Sequence, residues 1–126
     1  MTIIDQDQYS AMLAKWRGSP ARIWIFDVSL TRLGVRLARV GEPEVLYVVG
    51  ASCEHIVGPF LWSDSEISII PNQEPGASSD LVVDKKAGFE LRCRGVVMLV
   101  GPAGDLDKTF ASFLGDAPLP QTATSS

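Results

Sequence analysis

The sequence predicts an α+β domain: an N-terminal helix, six to seven mostly antiparallel strands forming a curved sheet or small barrel, and a C-terminal helix. Three observations carry that expectation. Apolar residues recur at helical spacing only near the two ends of the 126-residue chain. Between them lie short apolar runs separated by Gly, Pro, Ser and Asp clusters. No strand–helix–strand alternation is present, so nothing points to a parallel sheet.

The first helix is read over "DQDQYSAMLAKWRG". Tyr9, Met12, Leu13 and Trp16 fall at i, i+3, i+4 and i+7 and make one apolar stripe. Asp5 and Asp7 sit near its positive end, Lys15 and Arg17 near its negative end, and Gly18-Ser19-Pro20 stops it. "ARIWIFDVSLTRLGVRLARV" then alternates as a β-hairpin. A four-residue loop at Ser29–Arg32 would pair Val28 with Leu33, Phe26 with Val35 and Trp24 with Leu37, all six on one buried face. "EVLYVVGASC" is apolar on both faces and is expected in the middle of its sheet. Further strands are read at Ile67–Ile70, "LVVD" (81–84), "FELRC" (89–93) and "VVMLV" (96–100). "PNQEPGASS" between them is a polar loop. "DLDKTFASFLG" (105–115) has the apolar spacing of a second helix, with Leu106, Phe110, Phe113 and Leu114 on one side. The domain is therefore drawn as residues 1–115, followed by a polar, proline-rich tail, 116–126.

Composition narrows the functional classes. The net charge of −4 argues against a general nucleic-acid or membrane-surface binder. No apolar run approaches the roughly 18 residues that cross a bilayer. The N-terminus lacks a basic stretch followed by an apolar one, so the expected compartment is the cytoplasm. Two cysteines in a reducing compartment are expected as free thiols; in an oxidising one, Cys53–Cys93 is the one intrachain bridge available.

The chemistry-bearing residues are few. Cys53 and His55, two apart at a strand end, share a face, and Cys93 can join them from another strand. That is three ligands of the four a zinc ion usually takes, without the paired cysteine knuckle of structural sites. No metal is therefore expected, and no cofactor. No nucleophile elbow or phosphate loop occurs: "VGPAG" lacks the Lys-Ser/Thr that makes such a loop work. Arg32 and Arg36 share one strand face with Asp27 nearby, and Arg92 and Arg94 flank Cys93. Paired guanidinium groups can hold a carboxylate or phosphate, although most such groups form incidental surface ion pairs. Trp62, after Phe60 in "GPFLWSD", stands apart from the core pattern, where it either plugs the core or anchors a partner.

These observations favour a small non-enzymatic domain that binds a protein partner or itself, expected as a homodimer with Trp62 and Phe60 at or beside the interface. The alternative is a binder of a small anionic ligand through Arg32, Arg36, Arg92 or Arg94. A distant third reading is a metal-assisted hydrolase around Cys53, His55 and Cys93.

Overall fold

The computed structural model of the chain describes residues 2–27, 31–71 and 79–104. Among these residues ten strands form two antiparallel sheets, accompanied by one short helix near the N-terminus. In chain order these are β1 (Thr2–Ile3), α1 (Tyr9–Lys15), β2 (Ala21–Asp27), β3 (Arg32–Ala38), β4 (Glu44–Ala51), β5 (His55–Val57), β6 (Leu61–Trp62), β7 (Ser68–Pro71), β8 (Asp80–Asp84), β9 (Phe89–Cys93) and β10 (Gly95–Pro102). The larger sheet runs β1-β10-β4-β3-β2-β6 and the smaller β5-β9-β8-β7.

This corrects the expected α+β fold with one curved sheet or barrel. Strands divide between two sheets, neither closes on itself, and the helix described in full is one of seven residues after a 3-10 turn, Gln6–Gln8. The division has a local cause. "EVLYVVGASC" reads as one strand, but β4 ends at Ala51, and Ser52 turns the chain with a positive φ of 52°. The chain leaves the larger sheet there, enters the smaller one as β5, adds the two-residue β6 to the larger sheet's edge, runs β7 to β9 in the smaller sheet, and returns to the larger between Cys93 and Gly95. The helix expected at 105–115 lies outside the described residues, as does the tail.

The helix holds its stripe as read. Leu13 and Trp16 are buried, and Tyr9 and Met12 pack against the same core. The Tyr9 hydroxyl donates to the Val96 carbonyl at 2.8 Å. Gly18, at φ 87°, ends the segment and donates its N–H to Ser65 at 2.8 Å. Arg39 reaches across from the end of β3: its Nε donates to Ser19 Oγ at 2.7 Å, Nη2 donates to the Lys15 carbonyl, and its guanidinium lies 5.1 Å from the Trp16 ring centre.

The hairpin is present in a different register. Phe26 stands opposite Leu33, Ile23 opposite Val35 and Ala21 opposite Leu37, with a bulge between Ile23 and Ile25. The buried face of β3 is the expected one (Leu33, Val35, Leu37), yet Trp24 and Phe26 are 40% and 54% exposed. Packing explains the slip. The space over Leu37 belongs to the cluster that includes Trp16, so the small Ala21, and not a second tryptophan, fits opposite. Val28 lies outside the described residues.

β4 is central, as its two apolar faces suggest. Leu46 and Val48 enter the main core between the sheets, with Leu91, Phe89, Val82 and Met98. On the other face Val45, Tyr47 and Val49 join Leu99 in a second buried cluster.

Candidate functional site

The arginines do not gather into one site. Arg32 Nη2 donates to Asp27 Oδ2 at 3.0 Å across the hairpin. Arg36 lies over the Trp24 ring, 4.5 Å from its centre. Arg94 approaches Glu54 at 3.4 Å, both largely in water, a pairing of little energetic weight. Arg92 is exposed on β9, opposite His55. One neighbour escaped the sequence reading: Arg22 stands directly opposite Arg36 on β2. The two line a groove of about 300 Å³ with Pro20, Ala38, Leu61 and Trp62.

Of Cys53, His55 and Cys93, the two sulfurs lie near one another beside Gly50, and the exposed His55 does not join them in a metal-binding group. His55 is exposed on β5, whereas Cys53 is half-buried and Cys93 wholly buried. Cys53 Sγ points back to the Gly50 carbonyl at 3.4 Å, and Cys93 Sγ lies 3.9 Å from the Asp80 carbonyl. Burial pushes both thiols up, Cys93 to about 12, with the nearby Cys53 sulfur as its second cause. Such thiols are poor nucleophiles near neutral pH. Among the described residues, no group of three or more His, Cys, Asp or Glu side chains could hold a metal ion.

The most constrained polar group is one the sequence reading passed over. Asp84 ends β8 with no exposed surface. Its Oδ2 accepts from Trp62 Nε1 at 2.8 Å and from the Glu66 N–H at 2.7 Å, and its Oδ1 accepts from the Ala87 N–H at 3.2 Å. The signal for it was "DKKAG": an Asp whose side chain caps the N–H three residues on, ahead of a glycine, is a turn signature. This network is structural. It seats Trp62, whose ring stacks on Phe89 at 4.8 Å, against the chain's own core. Phe60, two residues before, is 78% exposed.

Exposed apolar residues gather where the larger sheet ends. β6 pairs with β2 only at Ala21 and Arg22, and the Ile23 N–H donates to the Phe60 carbonyl at 2.7 Å. Beyond Ile23, no described strand pairs with β2 on this side, so Trp24–Phe26 lie at an edge of the sheet among the described residues. The direction of its polar groups follows from the ladder. Ile23 turns its N–H outward, Trp24 is absorbed by the bulge, and the alternation resumed at Ile25 turns the Phe26 N–H and C=O outward again. The other edges are blunter: β1 has two residues, β5 three, and β7 ends in Pro71.

Comparison with known proteins finds no matching family model, no matching curated protein and no matching solved structure. No helix among the described residues is long and apolar enough to cross a membrane.

Proposed function

We propose that this protein is a non-enzymatic interaction domain that pairs with a second copy of itself through the open edge of β2. The observation that carries this reading is the stretch Trp24–Phe26, beside which no described strand pairs on the outer side, with Trp24 and Phe26 in it and Phe60 next to it at 40%, 54% and 78% exposure. Unpaired edges that carry neither lysine nor proline are templates for a further strand. Trp24–Phe26 has neither, and the acid that follows it, Asp27, is ion-paired to Arg32 within the same hairpin. A two-fold axis at Phe26 would let each copy's outward N–H meet the other's carbonyl, an isologous antiparallel pair. Phe60 stays in this surface; Trp62, held by Asp84 and Phe89, belongs to the core beneath it. The setting we assign is the cytoplasm, where both thiols remain reduced.

Sedimentation velocity on wild type and on Phe26→Lys tests this. The substitution places a cation on the edge at little cost to the fold, because Phe26 is already half in water. The expected result is a wild-type dimer and a folded monomeric variant. A wild type that stays monomeric at high micromolar concentration removes the proposal.

A second reading keeps one specific observation in its favour. Arg22 and Arg36 stand directly opposite one another, and they border a groove with apolar walls. A small carboxylate or phosphate there would meet two guanidinium groups, the donors that hold such anions bidentately. Titration with inorganic phosphate, followed at the Trp24 and Trp62 indole signals, reads it out. Saturable shifts that Arg22→Gln abolishes support it, and unchanged signals dismiss it.

A further inference from the structure

We infer that Cys53 and Cys93 form a redox-modification site: under oxidation they join in an intramolecular disulfide that clamps the two sheets where the chain crosses between them. Two independent observations place them for it. A methyl group built on Gly50 would lie 3.1 Å from Cys93 Sγ and 3.2 Å from Cys53 Sγ, so the sulfurs flank one point and are at most the sum, 6.3 Å, apart. The absence of a side chain at Gly50 is what lets both sulfurs settle over it.

The second observation is topological. Cys53 lies on the passage from β4 to β5, and Cys93 is the last residue of β9, just before the chain passes to β10, so each sits where the chain changes sheet. The passages are tied side by side: Glu54 N–H donates to the Arg92 carbonyl at 2.8 Å, and Arg94 N–H to the Ala51 carbonyl at 3.0 Å. Neighbouring backbones of this kind fall within the span a disulfide bridges by side-chain rotation. The closed loop, 53 to 93, encloses every strand of the smaller sheet.

The chemistry needs an oxidant, which a low-molecular-weight disulfide such as oxidised glutathione supplies. Cys53, the more accessible sulfur, loses its proton and attacks one glutathione sulfur, expelling a glutathione thiolate and leaving a mixed disulfide. Cys93 then loses its proton and attacks Cys53 Sγ, releasing the second glutathione. Two protein thiols are oxidised and one glutathione disulfide is reduced to two thiols. Because Cys93 is buried and holds its proton tightly, the second step is slow and quickens as pH rises.

The test is to incubate the folded, reduced protein with oxidised glutathione at about pH 8, alkylate it, and map it without reduction. The expected product is a monomer about 2 Da lighter, with the Cys53 and Cys93 peptides linked, and with an unfolding midpoint raised by about 5–15 °C until dithiothreitol is added. Cys93→Ser should instead stop at the mixed disulfide on Cys53. Wild type that keeps two alkylatable thiols, stops at a mixed disulfide, or links between chains overturns the inference, and so does a linked monomer less stable than the reduced one.

Discussion

Asp84 shows how one buried carboxylate organises its surroundings. It has no exposed surface, and it satisfies three donors: the Trp62 indole and two backbone N–H groups. Removing it leaves those donors buried without partners, which costs more than the bonds themselves contribute. Asp84→Ala should lower stability by roughly 2–4 kcal/mol, and Trp62→Phe, which frees only one of the three, by about 1 kcal/mol, as read from urea unfolding. Equal losses would mean that the indole contact is the whole of the network. Cys93 sets a different constraint. Its thiol ordinarily titrates near 9 and is raised to about 12 by burial and by Cys53. A folded pKa above the unfolded one means that the neutral thiol stabilises the fold fully below about pH 9. That contribution is lost as pH climbs from 9 through 12. Alkaline unfolding in the presence of a phosphine reductant should therefore be steeper for wild type than for Cys93→Ala. Parallel profiles across that window would show that Cys93 plays no part.

At the level of elements, the helix was legible and the hairpin register was not. The α1 stripe is local: four residues at 3.6-residue spacing point one way whatever surrounds them. Its stop also depends on Arg39, far along the chain, whose guanidinium serves Ser19 and the last helical carbonyls. Arg39→Ala should weaken the fold by about 1–2 kcal/mol, more than an ordinary surface change. An effect within about 0.5 kcal/mol, the usual range for surface substitutions, would put Arg39 among the incidental contacts. The hairpin, by contrast, offers two apolar sets on one strand, Ile23/Ile25 and Trp24/Phe26, and periodicity cannot rank them. What decides is non-local, namely the room left over Leu37, together with a bulge at Trp24 that no residue type announces. Strands of two or three residues, such as β1, β5 and β6, carry too little pattern to be read at all.

For the whole molecule, the same limits decided what the candidate site looked like in advance. An antiparallel, strand-rich chain was readable from its apolar runs. Its division into two sheets was not, because that rests on the turn at Ser52 and the return after Cys93 rather than on any strand's composition. Trp62 was noticed because it fell outside the core pattern, yet its partner Asp84 lies 22 residues away and could not be paired with it from sequence. The edge proposed here combines Phe60, which the sequence singled out, with Trp24 and Phe26, which it placed in the core. Self-pairing therefore depends on one backbone group, the outward N–H of Phe26. Hydrogen exchange at that amide, followed by NMR from low to high micromolar protein, is the most direct measurement. Self-pairing predicts protection of that amide that grows with concentration, and no concentration dependence at the same position in Phe26→Lys. Fast exchange at Phe26 at every concentration would contradict it.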